Sequence, residues 1–266
     1  MTAKDFQYDG QYLSDYSFII GSIDSKSGVA TVSAGSKITF NTVPIGGGKR
    51  FSMTSSKYEE CYTTTFSIVK NPWECDEQEI TSDEYRDLIR WLNRREFLPF
   101  YFIEDDGETC YYNASFTVEK ILINNRLYGL SLTMMTDSPF GYGQDVHASW
   151  TIADTDRVYL LADISDEIGY TYPRVSVTCN KDGDLEIYNE TWDCRTLVKN
   201  CSIDETITFH GDTKIIETDN ETHAKTISRD FNFNFPKIGN TIKNRSNKFR
   251  FTLPCKCNIS YTPIIK

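Results

Sequence analysis

The side chains able to do chemistry in this 266-residue chain are carboxylates, three histidines, eight cysteines and one glycine-rich loop. The acids are densest at Glu59-Glu60, Glu74 to Glu79 and Glu104 to Glu108. Glycoside hydrolysis needs two carboxyls facing each other across a cleft, whereas these runs fall in turn-like or pre-helix segments, where solvation is the plainer role. Asp182, Asp184 and Glu186 alternate. They lack the Asp-x-Asp-x-Asp-Gly spacing and distal Glu of a calcium loop, so a polar hairpin is expected. His147 falls in a linker-like segment and His210 in a turn. Neither they nor His223 stand beside a Ser or Cys in a nucleophile motif, and no Gly-x-Ser-x-Gly occurs. A triad dispersed along the chain stays open, because triads are spatial. Gly46-Gly47-Gly48 precedes Lys49-Arg50, but without the strand–loop–helix and Lys-Ser/Thr of a phosphate loop it reads as a flexible loop.

The cysteines are Cys61, Cys75, Cys110, Cys179, Cys194, Cys201, Cys255 and Cys257. Scattered spacing in a large chain from a reducing compartment predicts free, buried thiols rather than a disulfide framework. Cys255 and Cys257 share one face of a strand and pack in a core. A zinc site would need further ligands at close spacing, which only a spatial meeting of Cys194 and Cys201 would supply. These residues therefore predict no catalytic, cofactor-binding or metal site, no cofactor and no enzyme.

The elements that hold these residues are mostly strands. The composition is 39% hydrophobic and 14% aromatic, too apolar for a disordered chain, and the net charge of −10 lacks the basic face of a nucleic-acid binder. There is no apolar run long enough for a signal peptide or a membrane span, so a soluble chain made in the cytosol is expected. Phe6, Tyr8, Tyr16, Phe18, Ile19 and Ile20 form short extended pieces around an Asp9-Gly10 turn, and Thr39 to Pro44 forms another. Tyr62, Thr64, Phe66 and Ile68 alternate until Asn71-Pro72 breaks the strand. One helix is expected. Thr81 and Glu84 make a capping box, Tyr85, Leu88, Ile89 and Leu92 form one stripe, and Arg94 and Arg95 close the last turn. Phe97–Phe102 and Tyr111–Val118 then pair across Glu104-Asp105-Asp106-Gly107, and Asn124-Asn125 turns the chain into the alternating run Tyr128 to Met134.

Asp137 to Gln144 is rich in Pro and Gly and marks the domain boundary, with a first domain at 1–143 and a second at 144–266. The second is expected to be all-β, without a helix. Its strands are read at Val158–Leu161, Arg174–Cys179, Leu185–Tyr188, Ile207–Phe209, Lys214–Glu217, Phe231–Phe235 and a long terminal run Phe249–Tyr261, with Pro254 at an edge or bulge. Trp150, Trp192 and many Tyr could present a sugar-stacking face, but core packing accounts for them more simply. Charge divides unevenly. Residues 1–147 carry 21 acids and 13 bases, net −8, against 17 and 15, net −2, in residues 148–266.

Taken in order, these features resemble the distal tail (Dit) proteins of long-tailed bacteriophages that infect Gram-positive bacteria. The likeness lies in Phe6 to Ile20, the Thr81–Arg95 helix and the hairpin after it. It continues in Tyr172-Pro173-Arg174-Val175, Gly183 to Ile187, Asn200-Cys201, Glu205 to Thr208 and Asp230-Phe231-Asn232. The resemblance implies a mainly β, two-domain fold: an N-terminal β-sandwich with one α-helix and a β-hairpin, then a galectin-like C-terminal β-sandwich. It implies a structural protein of the virion tail tip, a homo-oligomer whose first domains form a hexameric ring with the second domains outside it. Its neighbours would be the tail tube protein and tail-associated or receptor-binding proteins, with DNA passing the lumen without specific binding and no membrane contact. An acidic first domain suits such a lumen, since like charge avoids trapping DNA. The alternative is a carbohydrate-binding β-sandwich for host-surface glycans.

Overall fold

The computed structural model describes residues 4–21, 36–58, 60–103 and 110–266, which form two compact units, Met1–Gly143 with Lys266, and Gln144–Ile265. The expected turn Glu104 to Gly107 and the acids Glu59 and Glu108 lie outside the described residues.

The first unit contains strands β1 (Asp5–Tyr8), β2 (Gln11–Tyr12), β3 (Phe18–Ile20), β4 (Ile38–Ile45), β5 (Arg50–Tyr58) and β6 (Thr63–Lys70), helix α1 (Ser82–Leu92), and strands β7 (Leu98–Ile103), β8 (Tyr111–Ile123), β9 (Arg126–Thr136) and β10 (Gly141–Tyr142). One antiparallel sheet runs β2-β1-β7-β8-β9-β6-β3, and β10 pairs with β8. The sheet coils around its core. Three strands separate β1 from β6, roughly 19 Å in a flat sheet, yet the Phe6 and Phe66 rings are 5.8 Å apart. The Ile20 amide then donates to the Lys4 carbonyl at 3.0 Å, joining the two ends of the path. Phe6, Phe100, Phe116, Ile68 and Leu132 fill the interior.

Helix α1 packs Leu88, Trp91 and Leu92 into this core. Thr81 and Glu84 form the expected capping box. Trp91 stacks on Tyr16 at 4.7 Å and donates its indole N–H to the Tyr8 carbonyl at 3.0 Å. The helix ends before Arg94 and Arg95, because Asn93 leaves helical geometry at ψ 77. Arg94 folds back instead, donating to the Trp91 carbonyl and pairing with Asp9 at 3.2 Å. Asn124 and Asn125, both at positive φ, make the two-residue turn between β8 and β9.

The second unit contains β11 (Val146–Ile152), β12 (Tyr159–Ala162), β13 (Gly169–Thr171), β14 (Arg174–Cys179), β15 (Gly183–Asn189), β16 (Cys194–Cys201), β17 (Thr206–His210), β18 (Ile215–Thr218), α2 (Ile227–Asp230), β19 (Ile238–Asn240), β20 (Ser246–Phe251) and β21 (Cys255–Tyr261). Two sheets, β11-β21-β14-β17-β18 and β12-β20-β15-β16, enclose one core containing Val175, Val177, Leu185, Ile187, Phe209, Phe249 and Phe251. The ribbon β13–β19 is tied to them by buried Asn247. Its carboxamide oxygen accepts from Asn189, Trp192 and the Gly239 amide, and its nitrogen donates to the Leu161 and Gly239 carbonyls.

Five expectations for this unit are corrected. The terminal run is two strands in different sheets, because Thr252–Pro254 carries the chain across the core and Pro254 offers no N–H to a ladder. Phe231–Phe235 is not a strand. Phe233 takes φ 56, Asn232 and Asn234 both donate to the Arg195 carbonyl, and only Phe231 bridges to Val198. One short helix, α2, is present where none was expected. His147 lies within β11 rather than a linker, and His210 ends β17 rather than standing in a turn.

Candidate assembly surface

Among the described residues, strands β4 and β5 pair only with each other. Gly46, Gly47 and Gly48, all at positive φ (61°, 71° and 82°), turn the chain between Ile45 and its partner Arg50. The glycine loop is thus the tip of a two-stranded ribbon roughly 25 Å long. None of its residues is buried. Pairing places Ile38, Phe40, Thr42 and Pro44 on one face with Tyr58, Ser56, Met53 and Phe51. Six of these eight side chains are apolar or aromatic, and Phe40, Met53 and Phe51 are 59%, 59% and 68% exposed. The other face carries Asn41, Ser52, Ser55, Arg50 and Lys57 with Val43 and Ile45. Thr54 is an extra residue in β5, its hydroxyl donating to the Asn41 carbonyl at 3.0 Å. Tyr58 packs edge-on against Phe140 at 4.6 Å, anchoring the base. A lone hairpin is marginally stable in water, and an apolar stripe of this length marks a surface meant to be covered.

The residues singled out for chemistry go separate ways. Asp182 accepts from the Ile203 amide at 2.6 Å, Asp184 from the Asn200 amide at 3.0 Å, and Glu186 pairs with Arg195 at 2.7 Å. These three acids therefore serve three local contacts. His210 bonds Glu217 at 3.1 Å, and His147 lies exposed on β11. All eight cysteines are free thiols. Cys194 and Cys201 stand at opposite ends of β16, so they do not meet. Cys255 and Cys257 are fully buried, as their shared face required.

Sequence reasoning missed one buried pair. The His223 Nδ1 lies 2.5 Å from Glu205 Oε1, and Glu205 also accepts from the Thr218 hydroxyl and the Ser202 amide. The two residues are far apart in sequence, and no motif links them. His223 Nε2 makes no hydrogen bond and sits 3.6 Å from Asp230 Oδ2, beside a polar cavity of about 720 Å³. A Ser or Cys nucleophile bonded to that nitrogen, the mark of a triad, is not found among the described residues. Nor do three His, Cys, Asp or Glu side chains there converge as metal ligands.

Residues 1–138 match the family described as phage tail protein N-terminal domain, and residues 140–261 the family described as phage tail C-terminal domain. The chain belongs to these phage tail proteins. No curated protein matches it. The tail protein has the fold of SPP1 Dit, whose crystal structure is described as a paradigm of the hub adsorption apparatus in phages infecting Gram-positive bacteria. The two align with a TM-score of 0.64 at 15% identity, over 97% of this chain and 98% of that one. The likeness to distal tail proteins thus holds as a fold along nearly the whole length.

Charge on the tail protein is segregated. Within residues 36–58, spanning the ribbon, lie Lys37, Lys49, Arg50 and Lys57 and no acid. With those four bases set aside, residues 1–147 keep 21 acids against nine bases, net −12. In the second unit, the exposed face of the β11-β21-β14-β17-β18 sheet presents His147, Ser149, Arg174, Ser176, Thr208 and Asn258. No aromatic side chain for stacking a sugar stands on that face among the described residues.

Proposed function

We propose that this tail protein is a distal tail hub, a structural rather than catalytic component. Its first units assemble as a homohexameric ring between the tail tube and the tail-tip proteins. The observation that carries this reading is the exposed ribbon β4–β5, apolar on one face and basic overall, on an otherwise acidic unit. Each ribbon lies on the body of the next copy, so that the apolar stripe leaves water and the bases meet acids. The second domain, 144–266, is the platform for tail-associated or receptor-binding proteins. DNA passes the lumen without specific binding, repelled by the excess acid of the ring-forming units.

Light scattering across a concentration series, with negative-stain microscopy, tests the proposal. Six-fold rings with a central hole are expected, and a chain that stays monomeric at high concentration overturns it. A surface potential that is basic along the lumen would overturn the electrostatic part alone.

A further inference from the structure

The two outer faces of the second unit's sandwich handle charge differently. On the β12-β20-β15-β16 sheet both outward arginines have a carboxylate of their own, Arg195 with Glu186 and Arg250 with Glu190. On the β11-β21-β14-β17-β18 sheet, the outward Arg174 and Lys256 form no ion pair among the described residues. The one outward carboxylate on those five strands, Glu217, stands on the edge strand β18 and is held by His210 at 3.1 Å. Register sets the outward side chains in rows across the strands. His147, Ser260 and Arg174 form one row. Ser149, Asn258, Ser176 and Thr208 form the next, roughly 7 Å further along the strands. All of these except Thr208 line a depression of about 380 Å³. Lys256 lies in the row beyond.

We propose that this depression binds a small oxyanion, a carboxylate or phosphate group carried on a hydroxyl-bearing molecule. Hydrogen bonds within the rows leave donors for such a ligand. The Ser149 hydroxyl donates to Asn258 Oδ1 at 2.7 Å, which occupies the amide oxygen. The Asn258 Nδ2 hydrogens have no acceptor among the described residues. The Thr208 hydroxyl donates to Ser176 Oγ at 3.4 Å, so the Ser176 hydrogen is left to donate. The Arg174 guanidinium carries only donors, in a fork that matches the two oxygens of a carboxylate or phosphate. An ionised oxyanion only accepts, and it meets these three donors without a competing carboxylate on either row. The anionic group occupies a small part of the depression. The remainder faces Ser149, Ser260 and His147, which hydrogen-bond hydroxyls, and neither row carries an aromatic side chain to hold an apolar body. A chain of net −10 repels anions over most of its surface, so the unpaired bases fix where one can settle. The site lies within the second unit and does not rest on the ring.

The test is ligand-observed saturation-transfer NMR on the full chain, which works whatever its oligomeric state. Glycerol 3-phosphate and glucuronate are the anionic probes, and glycerol and glucose are their neutral counterparts. Saturation transfer to at least one anionic probe is expected, and which of the two binds tells phosphate from carboxylate. The signal should fall as sodium chloride is raised to about 1 M, where charges are screened within about 3 Å. Arg174→Ala should weaken binding about tenfold or more, the loss of a charge-assisted hydrogen bond. Asn258→Asp keeps an oxygen for the Ser149 hydroxyl but replaces the remaining donor with a carboxylate, and should abolish binding. Both side chains are exposed, so both variants should melt as the wild-type chain does. Silence of both anionic probes on the wild-type chain overturns the proposal. So does equal transfer to the neutral counterparts, or an Arg174→Ala chain that binds as tightly as wild type. The comparison of charged and neutral probes uses the wild-type chain, so it stands even if a variant fails to fold.

Discussion

Replacing Phe40 and Phe51 together by serine separates assembly from folding. The two rings share the apolar face of the ribbon, 59% and 68% exposed, and belong to neither the core cluster of the first unit nor the partly buried residues packed on it. Fully burying such a side chain is worth about 1.5–3 kcal/mol. Scaled by the exposed fraction, each ring contributes about 1–2 kcal/mol when a neighbouring copy covers it. The pair contributes about 2–4 kcal/mol, an association constant lower by about 30- to 1,000-fold per contact. Folding stability of the isolated chain should change by no more than about 0.5 kcal/mol, as for other surface substitutions. Sedimentation over a dilution series reads the first quantity, and thermal melting followed by circular dichroism reads the second. Unchanged concentration dependence in the double variant would refute copy-to-copy burial of this face. A melting temperature lowered as far as that of a core variant would refute the premise that the ribbon stands outside the core.

Glu84 caps α1 and receives the buried Lys70 ammonium at 2.8 Å. Burial pushes its carboxyl up, but the bonds from Lys70 and Thr81 outweigh burial and hold it below the usual range. A lowered carboxyl stabilises the fold above its unfolded value near about 4.3, and that stability is lost as pH falls through the folded value. Glu84→Gln should therefore destabilise the chain at neutral pH and should flatten the loss below about pH 4. Equal pH slopes in urea titrations of both proteins would count against it. Burial pushes the Tyr8 phenol up to about 12. The stability this gives is intact below about pH 10 and is lost as pH rises toward the folded value. Tyr8→Phe should remove about 2–3 kcal/mol of alkaline sensitivity between pH 8 and pH 12, read from denaturant midpoints, and an unchanged difference would refute the assignment. A Cβ at Gly211 would lie 2.0 Å from the Tyr172 carbonyl oxygen. Gly211→Ala should destabilise the second unit by about 2–4 kcal/mol, and a wild-type melting curve would mean that this turn yields.

What the sequence made legible was local. The capping box at Thr81 and Glu84, the paired asparagines at 124 and 125, and the alternation from Tyr62 to Ile68 each depend on neighbours within a few residues, and each forms as read. The ribbon was half-read. Thr39 to Pro44 looks extended, but Phe51, Met53 and Tyr58 are diluted by serines and thrown out of strict alternation by the extra Thr54, so β5 gives no clean period of two. The terminal run shows the opposite failure. Its alternation from Phe249 to Tyr261 is unbroken, yet the two halves face the same core from opposite sheets. Period alone reports which side faces inward, not which sheet a strand joins. The His223–Glu205 pair arises only from long-range packing, and no spacing rule reaches it.

The charge segregation also bears on the kind of oligomer that can form. A chain of net −10 repels its own copies unless unlike patches meet. A two-fold contact that placed ribbon against ribbon would oppose Lys49, Arg50 and Lys57 with themselves and bring base to base. A head-to-tail contact sets the basic ribbon of one copy on the acid-rich body of the next, covers the apolar stripe at the same time, and leaves each copy with one ribbon offered and one body exposed. Such a contact repeats, and it closes into a ring when the rotation permits. Charge thus favours cyclic over two-fold assembly before any interface residue on the receiving body is known. In the ring proposed above, the acid left uncovered would exceed what the net charge of the first domain alone suggests, because the ribbon's bases would lie between copies.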